Sequence, residues 1–150
     1  MRALIWIHIL FFLSQCGYTA IYKDNEKQNI KISILQYNGD KKINKLLDAG
    51  LKNYINSDSD NEYLIIVNTD YKKRTNTKDA TGKPIDFQLS LITNVIINYK
   101  NETIKTTFNE SFKIKNSSDT FELIKYENSI KNNFVKSTKN KLILKLLSLK

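Results

Sequence analysis

Apolar residues along this chain recur first every second position and then every third or fourth, and the changes of period mark out six elements. In residues 30–37, Ile30, Ile32 and Ile34 alternate with Lys31 and Ser33, the period of a half-buried strand. Asn38-Gly39 predicts a turn and Asp40 a helix cap. The predicted helix carries Ile43, Leu46, Leu47, Leu51, Tyr54 and Ile55 on one stripe. It ends at the polar Ser57-Asp58-Ser59-Asp60-Asn61, read as a turn because no Gly and no closing Glu complete a calcium loop there. A second strand follows from Glu62 to about Tyr71, with Tyr63, Ile65, Val67 and Tyr71 on one face. Residues 72–84 hold no large apolar side chain and are predicted to form a loop.

Beyond Pro84 the alternation is long. Ile85, Phe87, Leu89, Leu91, Val95, Ile97 and Tyr99 fall on one side, with Asp86, Gln88, Ser90, Asn94 and Asn98 opposite. Lys100-Asn101 predicts a tight hairpin, since Asn tolerates positive φ. The returning strand presents Ile104, Thr106, Phe108, Phe112 and Ile114, and Glu110 interrupts that series, which predicts a bulge or a strand end. A last helix opens at Ser117-Ser118-Asp119 with Asp119 and Glu122 spaced as a capping box. Its stripe is Leu123, Tyr126, Ile130, Phe134, Thr138, Leu142, Leu146 and Leu149. An amphipathic sheet needs a cover, and two helices supply it. The predicted fold is therefore α+β: two helices packed on one face of a four-stranded mixed β-sheet, order β-α-β-β-β-α, in a single domain at residues 30–150.

The N-terminus has a different character. Arg2 precedes an apolar run at residues 3–13, too short for a bilayer core, which needs roughly 20 apolar residues. Cys16, the sole cysteine, stands directly behind it in Leu13-Ser14-Gln15-Cys16-Gly17-Tyr18. This arrangement looks like a bacterial lipoprotein signal: residues 1–15 the signal peptide, cleavage between Gln15 and Cys16, and a lipidated tether at residues 16–29. A thiol is the group that accepts a diacylglyceryl chain by thioether formation, and Gln15 departs from the small residue usual before it. An ordinary signal peptide, or a hydrophobic N-terminal strand, with an incidental cysteine is the competing reading.

Removing residues 1–15 also removes the only Trp, Met and His (Trp6, Met1 and His8). Histidine-based triads and His- or Cys-based metal sites are thereby excluded from the mature chain. No catalytic residue, metal ligand or cofactor is expected, although the scattered carboxylates leave a carboxylate-dependent hydrolase open as an alternative. Formal charge is +9, nearly all of it from lysine, with Arg74 the sole arginine beyond Arg2. Such a balance suits an anionic partner, and AT-rich coding of Lys, Asn and Ile is the bland explanation. Nucleic acid is not expected, because no stacking aromatics interleave the basic residues. In the segment at residues 72–84, Lys72, Lys73, Arg74, Lys78 and Lys83 face one acid, Asp79.

Several of these features together resemble the LPS-assembly lipoprotein family LptE in its alphaproteobacterial form. They are Cys16-Gly17-Tyr18 with Ile21-Tyr22, the polar Thr77-Lys78-Asp79-Ala80-Thr81-Gly82 before the long strand, Phe108-Asn109-Glu110-Ser111-Phe112, and Tyr126-Glu127-Asn128 near the start of the last helix. The resemblance covers essentially the whole mature chain. It implies an outer-membrane lipoprotein, anchored by acyl chains on Cys16 in the periplasmic leaflet and seated as a plug in an LptD-like β-barrel. Such a protein assists lipopolysaccharide on its way to the surface. In that setting Lys72, Lys73, Arg74, Lys78 and Lys83 are the candidates for contact with lipopolysaccharide phosphates, against a solvated hairpin tip as the alternative. A lipoprotein that binds another protein or a glycan remains a further alternative.

Overall fold

A computed structural model describes residues 30–55 and 57–149 of the chain. The signal segment 1–15 with Gln15, and Cys16 with the tether at 16–29, lie outside the described residues. The elements are β1 (Lys31–Gly39), α1 (Lys41–Ile55), β2 (Glu62–Lys78), β3 (Pro84–Tyr99), β4 (Glu102–Lys115) and α2 (Thr120–Leu147). They form one four-stranded sheet in the order β1-β2-β3-β4. β1 is parallel to β2, so the chain between them must cross over, and α1 is that crossover. β2, β3 and β4 are antiparallel neighbours joined by short turns. The α+β architecture read from the sequence is the one observed.

Both helices cover the same sheet face. Tyr63, Ile65, Val67, Leu89, Leu91 and Ile97 from the sheet are fully buried against Ile43, Leu47 and Leu51 of α1 and Leu142 and Leu146 of α2. Each such side chain contributes about 1.5–3 kcal/mol through area removed from water. Lys42 at the start of α1 donates to Asn128 Oδ1 at 2.7 Å. Further along, a methyl added at Gly50 would lie 3.4 Å from Cδ of Lys139. The two helices thus run side by side in the same direction.

β1 holds a bulge between Ile34 and Gln36, and Leu35 projects there, 57% exposed. The extra residue returns Tyr37 to the helix side, where its hydroxyl donates to Asp48 Oδ1 of α1 at 3.2 Å. Burial and the Asp48 charge together push the Tyr37 hydroxyl pKa up. Asn38-Gly39 is not a detached turn but the end of β1, paired with Asn68 and Thr69. Gly39 has φ +88, and a Cβ there would fall 1.8 Å from the carbonyl oxygen of Thr69. Only glycine lets the chain leave the sheet so tightly. Asp40 then caps α1, its Oδ1 accepting from the Ile43 N–H at 2.9 Å. Beneath this corner the buried Thr69 hydroxyl donates to Asn44 Oδ1 at 2.7 Å and accepts from the Asp40 N–H at 3.1 Å.

Three further expectations about the elements change. Residues 72–78 are strand, not loop: β2 continues to Lys78 and only the turn at residues 79–83 interrupts the hairpin. The amphipathic β3 draws this polar segment into pairing, because its backbone groups must find partners whatever side chains the opposite strand carries. Glu110 marks neither a bulge nor a strand end. β3 and β4 stay in unbroken register, Glu110 opposite Leu91, and its carboxylate meets Lys141 Nζ of α2 at 2.6 Å. At the start of α2, Asp119 accepts from the Glu122 N–H at 3.1 Å, but the Asp119 N–H goes to Ser117 Oγ at 3.1 Å. The reciprocal half of the box is therefore replaced, and Glu122 turns to Lys125 instead, 3.6 Å away. Lys100 and Asn101 take φ 46 and 68, as a two-residue hairpin turn demands.

The sheet has two distinct ends. At one, Lys31 of β1 pairs with Glu62, the β3–β4 hairpin turns, and the Tyr63 hydroxyl donates to the Leu146 carbonyl of α2 at 3.0 Å. Tyr63 also stacks on Tyr99 with ring centroids 4.3 Å apart. At the other end lie the turn at 79–83, the end of β4 and the start of α2. β3 joins them, about 50 Å long at ~3.3 Å per residue.

Candidate functional site

The far end is where the five basic residues singled out from the sequence come together, and strand geometry sorts them. β1 pairs with β2 only as far as Thr69, so beyond it the outer edge of β2 has no neighbouring strand among the described residues. Alternation puts Lys73 beside Tyr71 on the helix side and Lys72 and Arg74 on the opposite, open face. Lys78 and Lys83 flank the turn.

Two of the five are already neutralised. Lys72 forms an ion pair with Asp70. Lys73 Nζ lies 2.9 Å from Glu127 Oε2 and 4.5 Å from the centroid of the Phe87 ring. Glu127 is a hub: its carboxylate also takes the Tyr71 hydroxyl at 2.9 Å and Lys131 Nζ at 2.8 Å. Burial would raise its pKa, but the hydrogen bonds from Lys131, Lys73 and Tyr71 outweigh that and hold the group down at about 2. The cluster fixes the first turns of α2 to the far half of β2.

Arg74, Lys78 and Lys83 are exposed and have no acidic partner among the described residues. The nearby acids are occupied by the fold. Asp79 accepts from the Thr81 hydroxyl at 2.7 Å, the Thr81 N–H at 2.8 Å and the Lys83 N–H at 2.9 Å, an arrangement that closes the turn and lowers its pKa. Gly82 supplies the positive φ of that turn. Asp86, expected among the exposed polar series, is only 6% exposed. It holds the irregular pairing of β2 by accepting from Asn76 Nδ2 at 2.9 Å and the Thr77 N–H at 3.1 Å, and it pairs with Lys113 Nζ at 2.9 Å. The Lys113 hydrogen bond leads the effects that bring Asp86 to about 2. Ile85, expected in the apolar series, is 50% exposed because it stands at the strand end beside the turn.

Sequence reasoning missed Asp86, Lys113, Glu127 and Lys131 as parts of this region. The spacing of Glu127 and Lys131 on one helix face was a visible signal, since such pairs meet across one turn. The other partners join through the sheet and leave no local mark. Among the described residues no group of three His, Cys, Asp or Glu side chains could hold a metal ion. No helix among them is long and apolar enough to cross a membrane. Chemically the far end can offer guanidinium and ammonium groups to an anion, with nearby carboxylates already satisfied.

No family model and no curated protein matches the sequence. Solved structures do match in fold. Rare lipoprotein B from Shewanella oneidensis superposes with TM-score 0.58 at 12% identity, covering 79% of this chain and 93% of that one. A minor lipoprotein from Acinetobacter baumannii gives 0.54 at 13% identity, covering 78% and 94%. Lipoprotein B from Nitrosomonas europaea gives 0.51 at 11% identity, covering 86% and 88%. The shared property is the fold, and the likeness is spread over several lipoproteins without singling out an alphaproteobacterial form.

Proposed function

We propose that this chain is a lipid-anchored binding module of the LptE type, a lipoprotein subunit of a lipopolysaccharide translocon. On this reading signal cleavage after Gln15 leaves Cys16 to carry the acyl chains, at about 0.8 kcal/mol per buried CH₂. The domain sits at the periplasmic leaflet of the outer membrane and plugs an LptD-like β-barrel. The far end, roughly 50 Å from the start of β1, meets the phosphates of lipopolysaccharide.

The observation that carries this reading is the imbalance at the far end. Arg74, Lys78 and Lys83 stand unneutralised while Asp70, Asp79 and Asp86 are each engaged within the protein. Clustered cations on a rigid hairpin attract a polyphosphorylated headgroup, and the fold is one shared with lipoproteins. The test is lipopolysaccharide binding by the domain at two salt concentrations. Joint replacement of Arg74, Lys78 and Lys83 by Ala is expected to weaken binding at least about tenfold and to flatten its salt dependence. Lys72→Ala, which removes a cation already paired with Asp70, is expected to change it less than about twofold. Unchanged binding by the triple variant would sink the assignment of the site.

A further inference from the structure

Among the described residues the sheet leaves backbone unpaired along the outer edge of β1, the outer edge of β4 and the part of β2 beyond Thr69. The β2 edge is different in kind. β1 is made to stop there, because Gly39 turns away at φ +88 and the Asp40 N–H closes on the Thr69 carbonyl at 3.1 Å. Backbone groups alternate between the two edges of a strand, so Tyr71, Lys73 and Thr75 point their N–H and C=O the same way as Thr69. No described residue pairs with them. β2 meanwhile stays in register with β3 up to Thr75, which holds the free edge straight from Asp70 to Thr75, about 20 Å at ~3.3 Å per residue.

Beside this edge α2 runs past the start of α1. Its Glu127 and Lys131 sit over Lys73 and Tyr71, and Lys42 in the first turn of α1 reaches Asn128. Phe121 and Ile124 fall on the same flank of α2 as Asn128 but earlier, where α1 has not yet begun. Phe121 is accordingly 72% and Ile124 52% exposed. On the other side of the edge, Lys72 pairs with Asp70, while Arg74 has no acidic partner among the described residues. The remaining edges lack this setting. β1 is broken by the bulge at Leu35, and on β4 Phe112 and Tyr126 already pack on each other with ring centroids 6.5 Å apart.

We infer that the free edge of β2 from Asp70 to Thr75 is a β-augmentation site whose occupant is an extended segment of a partner protein, apolar towards Phe121 and Ile124 and acidic towards Arg74. The backbone of another strand is the ligand that meets donors and acceptors in this alternation, while its side chains, alternating in turn, supply the specificity. Laid in line with β1, such a segment fills the place that β1 vacates at Gly39. A second copy of this chain is disfavoured. Two such edges side by side would oppose Lys72, Lys73 and Arg74 to their own kind, and lysine on a free edge is a common guard against that pairing.

The probes are two synthetic heptapeptides, one alternating Val with Glu and one alternating Val with Lys, added to the full chain in detergent and followed by amide hydrogen exchange. The Val/Glu peptide is expected to slow exchange at Tyr71, Lys73 and Thr75 at least about fivefold, and the Val/Lys peptide less than about twofold. Thr75→Pro removes an N–H from the free edge and none from the edge paired with β3. With native circular dichroism, it is expected to weaken Val/Glu binding at least about tenfold. Arg74→Glu is expected to weaken the Val/Glu peptide at least about fivefold and to let the Val/Lys peptide bind. Protection along the outer edge of β4 instead would overturn the choice of edge. Equal binding of the two peptides would overturn the acidic character of the occupant, and protection that grows with protein concentration without peptide would make the occupant a second copy. No protection at Tyr71, Lys73 and Thr75 with either peptide, or full binding by folded Thr75→Pro, overturns the site altogether. Thr75→Pro leaves Arg74, Lys78 and Lys83 in place, so the edge can fail without the lipopolysaccharide reading failing with it.

Discussion

Where β1 runs beside β2, Tyr63, Ile65 and Val67 are fully buried under the helices; further along the same strand Lys72, Arg74 and Lys78 are exposed, with β3 their one strand neighbour among the described residues. The near half is held by apolar burial and by a corner that admits only glycine. The far half adds to the buried Leu89 and Ile114 the polar ties of the Glu127 cluster and the Asp86 clamp. A polar stretch of β2 with no fully buried apolar side chain of its own is held in place if a long neighbouring strand joins it to the core. β3 is that strand, since it has a neighbour on both sides over most of its length.

Gly39→Ala tests the near half most severely. The added methyl would collide with the Thr69 carbonyl, at a φ that L side chains rarely adopt. Unfolding free energy measured by urea denaturation is expected to fall by about 3 kcal/mol or more, since strain and a core clash combine. A loss under about 1 kcal/mol would show that the β1–α1 corner can open and that the near half yields as readily as the far one.

In the far half the sensitive variable is acid. Glu127 ionises at about 2 in the folded chain against an ordinary 4.5, so it binds its proton less readily folded than unfolded. Its stabilising contribution is complete above about pH 4.5 and is lost as the pH falls towards 2. Glu127→Gln is expected to flatten that limb of the acid-unfolding curve while leaving the neutral-pH fold intact by circular dichroism. An unaltered limb would mean that the cluster does not tie α2 to β2.

The smallest effect concerns the seam between the sheet and α2. The hydroxyls of Thr93 and Thr138 are buried with no hydrogen-bond partner among the described residues. Replacing either by Val removes a polar group that gained nothing by being buried, and a gain of about 1 kcal/mol in thermal stability is expected. A loss of similar size would show that the hydroxyl is satisfied in solution.

The elements with apolar periodicity are legible in the amino-acid sequence itself. The core stripes of α1 and α2 and the alternation of β3 identify themselves, because burial imposes the period on the residues. The continuation of β2 to Lys78 is not legible there, since an edge strand with polar residues on both sides has no apolar rhythm to display. Only with that extension in place does the step from Tyr71 to Lys73 put Lys73 with Glu127 and leave Arg74 facing outward. The basic cluster can thus be found by composition but not sorted by it. Glu110 misleads for a related reason: its partner Lys141 is far along the chain, and a charge in an apolar series looks like an interruption until that partner is known.

The parallel pairing of β1 with β2 also has a mechanical meaning. If the chain is held near residue 30 and loaded at the turn beyond Lys78, the pull runs along the strands rather than across them. The hydrogen bonds of the sheet are then strained together in shear instead of parting one after another like a zip. A domain held at residue 30 and loaded at that turn resists most along the line that joins the two.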